Sequence, residues 1–457
     1  MQATQQDKIV LVGAGLAGSL LALFLARRGF AVEVYERRPD MRREAVPGGR
    51  SINLALSTRG LHALQQVGLD AEALKLCIAM RGRQMHDTQG NQYYQPYGTT
   101  DAHYINSISR AGLNMLLMDA AERHPGVRIH FKHRCAAFDV HTGNATFVNE
   151  ATGQSLQVQG ATLIATDGAG SAVRDAMLRQ PGFDYSQQYL QHGYKELVMP
   201  AAPGGGFAME KHALHIWPRG QYMLIALPNF DGSFTCTLFL AHHGAHNSFA
   251  QLSTPQAVTA FFKQHFADVL QWMPNYLEEF FGHPVGYMAT IKCYPWHVGG
   301  KALLLGDSAH AIVPFYGQGM NCAFEDCVAL DACIARHGTD WEKVFADYQT
   351  ARKHNTDAIA DLALGNFIEM RDHTANPVFL LKRKAELLLE TRYPGRFLSK
   401  YSMVTFERLP YEQAMRKGNI QDAVLMDICA DLTAIDAFDA EAAMARIDAA
   451  LQQAGLS

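Results

Sequence analysis

The chain has 457 residues, 48% of them hydrophobic and 18% charged, with a formal net charge of −4. This length exceeds one compact core and suits two or three, and the composition is that of a folded globular protein rather than a disordered chain. No basic arm or stripe is offered to a nucleic acid, and no apolar run approaches the ~20 residues of a membrane helix.

The first element is the apolar run Lys8–Val12, a buried parallel strand. It starts within ten residues of Met1, which leaves no room for a signal peptide. Gly13, Gly15 and Gly18 follow at G-x-G-x-x-G spacing and open a helix that runs through Arg27 and stops at Gly29. Ala31 to Glu36 is the second strand. Glycines at this spacing let the backbone turn tightly, approach a pyrophosphate and pack the helix on the sheet, with the helix N-terminus facing the phosphates. Glu36 ends the second strand, where a carboxylate can accept from ribose hydroxyls. This pattern predicts a dinucleotide site without separating FAD from NAD.

Thr162–Ala165 and Ala302–Leu305 are two further short apolar runs, each ending in a turn, at Asp167-Gly168 and Gly306-Asp307. They predict one parallel sheet assembled from distant pieces. Between them, from about Gly182 to Tyr287, runs around His215–Trp217, Tyr222–Leu227 and Phe234–Leu240 read as antiparallel strands. The pattern turns helical after about Thr339. The basic stretch Val378–Lys384 reads as a solvated helix face, with membrane-surface contact as the alternative. The final segment carries Asp422, Asp427, Asp431, Asp436, Asp439 and Asp448 and cannot span a bilayer. The eight cysteines are scattered with no C-x-x-C pair, as expected of reduced, buried thiols.

Asp307 stands on a turn after a buried strand, where it can bond a polyol such as a ribityl chain; it can equally cap the next helix. Gly317, Gly319 and the helix start at Met320 supply backbone donors able to stabilise negative charge on a reduced flavin. His242, His243 and His246 cluster without a carboxylate or cysteine at ligand spacing, so no metal is expected. His310 reads as a structural neighbour of the cofactor rather than an acid or base.

Gly13–Gly18, Asp167-Gly168 and Gly306-Asp307 resemble, in order, the three fingerprints of the group A FAD-dependent aromatic hydroxylases. Longer runs resemble more narrowly the kynurenine 3-monooxygenase family: Gly49 to Leu56, Met80 to Arg83, Phe183 to Tyr189, His192 to Leu197, Leu214 to Pro218, Val313 to Asn321 and Tyr401 to Phe406. The resemblance implies an α/β fold, with a Rossmann-type FAD-binding domain (1–75, 105–180 and 286–360), an inserted antiparallel-sheet substrate domain (76–104 and 181–285) and a helical C-terminal region (361–457). It implies tight, noncovalent FAD, with NADPH as transient co-substrate and no protein residue acting as the catalytic base. The implied reaction is hydroxylation of L-kynurenine by O2 through a flavin C4a-hydroperoxide.

By the same resemblance the dinucleotide is expected at Ala17, Tyr35, Glu36, Arg37, Arg38, Ala55, Arg110, Cys135, Asp167, Asp307, Met320 and Asn321, beside Gly13, Gly15, Gly18 and Gly319. The substrate is expected at Arg83, Tyr97, Asn366 and Tyr401, with Phe239, Phe315 and Met370 as apolar walls. Arg83 would grip the carboxylate of kynurenine bidentately, with Tyr97 as a second donor. On the residues alone, Arg83 also fits a surface salt bridge, Tyr97 a turn aromatic and Asn366 a helix-surface amide. Two departures stand out. Ala165 occupies a position where the family usually has Gly, and its methyl would crowd the backbone there. The C-terminal membrane anchor of eukaryotic members is missing, so the chain resembles the soluble bacterial form, expected in the cytoplasm. The competing functions are hydroxylation of a simpler aromatic acid of the salicylate type and a non-catalytic FAD-fold binding protein.

Overall fold

The computed structural model describes residues 8–44, 53–369 and 376–456. It divides into two compact units. The first comprises Met1–Leu76, Ile108–Tyr189 and Ala289–Ala360; the second comprises Cys77–Ser107, Leu190–Met288 and Asp361–Ser457.

The first unit is built on a six-stranded sheet in the order His297–Val298, Ala302–Leu304, Thr162–Ala165, Lys8–Val12, Ala31–Tyr35, Val127–His130. All neighbours are parallel except the first pair, and Lys8–Val12 sits between Thr162–Ala165 and Ala31–Tyr35. A strand buried on both faces needs side chains apolar on both, which is why Ile9, Val10, Leu11 and Val12 run without alternation. Helix Leu16–Arg27 packs against helices Arg110–Glu122 and Gly319–His337. The edge strand Val127–His130 was not read from the sequence: Arg128 and His130 break its apolar run, and an edge tolerates them. Ala165 is fully buried and paired with Val12 and Leu304, so its extra methyl is accommodated.

The second unit holds a larger sheet. In it Ala213–Pro218, Met223–Pro228 and Phe234–Ala241 form the expected antiparallel ribbon. Strand Asp184–Met199 pairs with Phe234–Ala241 from His192 to Met199. On the other side Gly82–His86 joins Ala213–Pro218 in parallel and Gln92–Pro96 closes the edge. One face of this sheet is covered by Val258, Phe261, Phe262 and Phe266 of the following helical segment.

Helices Pro377–Arg392, Tyr411–Ala430 and Ala440–Gln453 make a separate apolar cluster through Leu389, Leu425, Ala443 and Ile447. Pro377 opens the first of these after Asn376, whose side chain accepts from the Val378 and Phe379 amides. The stretch Val378–Lys384 is only partly the solvated face expected: Lys384 is exposed, but Lys382 is 3% exposed and ion-paired with Glu386 and Asp422. Two acids on neighbouring turns and on Tyr411–Ala430 draw the ammonium inward, which the local run cannot reveal.

Candidate functional site

In the first unit the glycine loop makes a cradle. Gly13 has φ +98°, and a Cβ there would lie 2.7 Å from the Thr166 carbonyl oxygen, so no other residue fits. A Cβ on Gly18 would stand 2.0 Å from the Gly13 carbonyl oxygen, which fixes how closely the helix meets the loop. Gly15 differs: its backbone is extended (φ −71°), and nothing lies within 4 Å of an added Cβ. Its missing side chain keeps open space at the N-terminus of Leu16–Arg27, where a pyrophosphate fits.

The Glu36 carboxylate accepts from the Ala14 amide at 2.8 Å and the Arg38 amide at 2.9 Å, tying the second strand to the loop. Arg37 and Arg38 are exposed beside it. Tyr35 turns the other way. Its ring stacks on Phe147 and His130 at 4.1 and 4.7 Å, and its hydroxyl donates to Glu33, so only its carbonyl reaches the loop, accepting from the Gly13 amide.

Asp167 accepts from the Ala172 amide with Oδ2, while Oδ1 is buried and has no hydrogen-bond partner among the described residues. Burial pushes this carboxyl above its ordinary range. A buried acceptor left open costs about 1–3 kcal/mol, so a ligand donor is the natural completion. Cys135 is buried, and that burial pushes its thiol up to about 12, which keeps it neutral. Asp307 is exposed at the start of helix Asp307–His310, where Gly306 is the capping residue, so its carboxylate faces outward rather than serving as the cap. Arg110 is likewise exposed, as the first residue of its helix.

Asn321 acts as a clamp. It donates to the carbonyls of Ala55 and Gly317 at 2.9 and 3.0 Å and accepts from the Ser57 amide at 3.0 Å, fixing the loop before helix Gly319–His337. Met320 is buried next to it, and Ala17 lies 3.6 Å from where a Gly306 Cβ would stand. Tyr35 and Glu36 thus meet the glycine loop, which lies against Asp167, while Ala17 lies by Gly306 and Ala55 is held by Asn321; Tyr35 offers the loop its backbone carbonyl.

Three residues that hold these turns were missed. Arg174 donates to the Ser308 carbonyl at 3.0 Å and to that of Ala169, bridging the Asp167 and Asp307 turns. Asp326 accepts from Arg352 Nε at 2.6 Å, contacts His310 Nε2 at 2.6 Å and accepts from the Gly306 amide at 3.2 Å. Burial alone would raise Asp326, but His310 and Arg352 outweigh it and hold the carboxyl down at about 2. His310 thus holds Asp326 from the end of its short helix. His310, Cys322 and Asp326 come within metal-binding reach of one another, but the Arg352 guanidinium already bonds Asp326 and Cys322.

In the second unit the structure brings together Arg83, Tyr97 and Tyr401. The Arg83 guanidinium carbon lies 4.7 Å from the Tyr401 ring centre and 5.4 Å from that of Tyr97, and the two rings stack at 5.5 Å. Arg83 Nε and the Tyr97 hydroxyl are buried without hydrogen-bond partners among the described residues. Burial pushes the Tyr97 phenol well up, so it stays a proton donor. Arg83 is thus no surface salt-bridge residue, and Tyr97 is 7% exposed rather than an open turn aromatic. A solvent-open recess borders Arg83, lined by Met85 and Ile216, by Phe379 and Leu380, and by the charged Glu369 and Arg383. Asn366 is buried in helix Trp341–Ile368, not on its surface, and Phe239 is buried in its strand near Tyr194. Phe315 belongs to the first unit, in the turn Pro314–Tyr316. Met370 lies outside the described residues, as do the first four residues of the run Gly49 to Leu56.

The FAD binding domain family model matches residues 6–363. A kynurenine 3-monooxygenase of Myxococcus xanthus (strain DK1622) is 54% identical over 94% of this chain and 92% of its own length. That of Stenotrophomonas maltophilia (strain K279a) is 44% identical over 99% and 98%. Among solved structures, 2-methyl-3-hydroxypyridine-5-carboxylic acid oxygenase superposes with a TM-score of 0.64 at 20% identity, covering 85% of this chain and 98% of that one. PqsL of P. aeruginosa in complex with 2-aminobenzoylacetate gives 0.62 at 20% identity, covering 80% and 97%. The latter two share the fold: mixed α/β sheets with parallel strands. With a glycine cradle, an open Asp167 oxygen and relatives this similar along its whole length, the chain belongs to the kynurenine 3-monooxygenase family of FAD-binding proteins.

Proposed function

We propose that this chain is an NADPH-dependent flavoprotein monooxygenase that converts L-kynurenine and O2 to 3-hydroxykynurenine. The observation that carries the substrate is Arg83: a guanidinium beside two stacked tyrosines, its Nε, like the Tyr97 hydroxyl, buried and without a hydrogen-bond partner among the described residues. Two buried donors without an acceptor among the described residues suit an anionic ligand, and the kynurenine carboxylate supplies two oxygens. Asn366 and Tyr401 would add polar contacts, and Phe239 and Met370 apolar walls. The segments 1–75, 105–180 and 286–360 would hold the dinucleotide and 76–104 with 181–285 the aromatic ring, with 361–457 completing the substrate side.

FAD, when bound, supplies the oxygen-activating chemistry. Gly13, Gly15, Gly18, Asp167 and Asp307 would hold it, and this chain's own residues then orient the ring and exclude water. We place the protein in the cytoplasm; among the described residues no helix is long and apolar enough to cross a membrane. Incubation with L-kynurenine, NADPH and O2, followed by product identification, tests the assignment: 3-hydroxykynurenine is expected, and turnover of salicylate alone would replace kynurenine by a simpler aromatic acid.

The cradle makes its own prediction. Purified protein is expected to be yellow and to release its flavin on acid precipitation; flavin retained by the precipitate would contradict noncovalent binding. Gly15→Val fits the protein, since its backbone is extended and the space around it is empty. It is therefore expected to abolish flavin retention while far-UV circular dichroism stays that of the wild type. A yellow Gly15→Val protein would move the pyrophosphate elsewhere.

A further inference from the structure

Tyr401, one of the two rings under Arg83, is the second residue of the short helix Lys400–Thr405. Six residues cannot hold a helix in place by their own hydrogen bonds. Its start is instead pinned from two longer helices. The Ser399 amide donates to Glu390 of Pro377–Arg392 at 2.8 Å. Lys400 Nζ reaches Asp422 of Tyr411–Ala430 at 2.5 Å and donates to Asn419 at 3.2 Å.

The Lys400 stem lies directly on Gly418, where a Cβ would stand 2.5 Å from Lys400 Cγ. Asp422 also receives Lys382 at 2.7 Å, and Lys382 pairs in turn with Glu386 at 3.2 Å. Burial alone would raise the Asp422 carboxyl, but Lys382 and Lys400 hold it below its ordinary range. So much buried charge is a poor source of stability, because desolvation offsets the attraction. It does fix geometry, since each charge has one direction in which it is satisfied.

We propose that Asp422 and Lys400 are positioning residues for the substrate carboxylate: by pinning the first turn of Lys400–Thr405 they set Tyr401 against Tyr97 and so aim the Arg83 guanidinium. This rests on Arg83 and Tyr401 forming the substrate site. Neither positioning residue touches the substrate.

The test measures KM and kcat for L-kynurenine on the FAD-loaded enzyme. Asp422→Asn and Lys400→Met are each expected to raise KM about 3- to 30-fold, the range of coupling between contacting residues, with kcat within about twofold and flavin content unchanged. Lys400→Arg keeps the ion pair and is expected to keep KM. The double variant Lys400→Met/Asp422→Asn removes both charges of this pair, leaving Lys382 to Glu386, and is expected to raise KM as the single variants do. In a Tyr401→Ala background, Asp422→Asn is expected to add nothing.

A wild-type KM in the double variant, or a full additional rise in the Tyr401→Ala background, would overturn the proposal. If Arg83→Met leaves KM untouched, the substrate site itself is misplaced. If Arg83→Met and Tyr401→Ala act but Lys400→Met and Asp422→Asn do not, only the positioning role fails.

Discussion

Arg83→Met is expected to lower kcat/KM for kynurenine by roughly 30-fold to several thousand-fold while leaving flavin content unchanged. The range follows from losing a buried pair between a guanidinium and a carboxylate, about 2–5 kcal/mol, because the substrate charge is left without its partner. Flavin is unaffected because the dinucleotide residues named above lie in the first unit, whereas Arg83 lies in the second. Lysine at this position is expected to recover only part of the loss. A point charge cannot reproduce the planar fork, nor spread its charge as the guanidinium does beside the Tyr401 and Tyr97 rings, whose centres lie 4.7 and 5.4 Å from its carbon. Decarboxylated kynurenine supplies the control: it should be a poor substrate for the wild type and lose little more in the variant, since the missing group and the missing arginine are partners. Normal kynurenine turnover by a flavin-replete Arg83→Met protein would place the carboxylate elsewhere.

How much of this was legible in the sequence depended on whether a residue's partner lies nearby in the chain. The glycine loop was legible because its constraint is local: Gly13 must adopt φ +98°, and Gly18 must meet Gly13 five residues away. The strands around it were legible because burial on both faces leaves an unbroken apolar run; Val127–His130, at the edge, escaped. Position alone does not say which part of a residue serves a turn: the Tyr35 side chain packs on Phe147, while its backbone carbonyl accepts from the Gly13 amide. Arg174, Asp326 and Lys382 were invisible for the opposite reason. Their partners Ser308, Arg352 and Asp422 lie 134, 26 and 40 residues away, and nothing in a run of sequence distinguishes a charge that will be buried from one that will be solvated.

Asp326 is the charge whose loss is expected to cost the fold most. Its two oxygens join three elements: the Gly306 amide before Asp307, His310 at the end of that short helix, and Arg352 on Trp341–Ile368. Among the described residues, Asp326→Leu leaves the buried Arg352 cation with Glu325, at 3.7 Å, as its one carboxylate neighbour, beside its bonds to Cys322. Such a change is expected to destabilise the first unit by about 3–5 kcal/mol. Urea unfolding followed by flavin release reads this directly, because the turn carrying Asp307 loosens with it. The double variant Asp326→Leu/Arg352→Met removes both charges and is expected to recover part of the loss; a double variant as weak as the single one would mean that contacts, not an unpaired charge, set the cost. The pH dependence has a definite sign. Asp326 is held at about 2 in the folded protein, against roughly 3.9 for an unfolded carboxyl, so its contribution is complete above about pH 4 and is lost as pH falls towards 2. Close to two pH units at ~1.4 kcal/mol each makes that contribution about 2–3 kcal/mol. The wild type is expected to lose this much stability across that interval, and Asp326→Leu, which has no proton to take up there, is expected to show a correspondingly flatter acid limb. Parallel acid limbs in the two proteins would assign the acid sensitivity to other carboxylates.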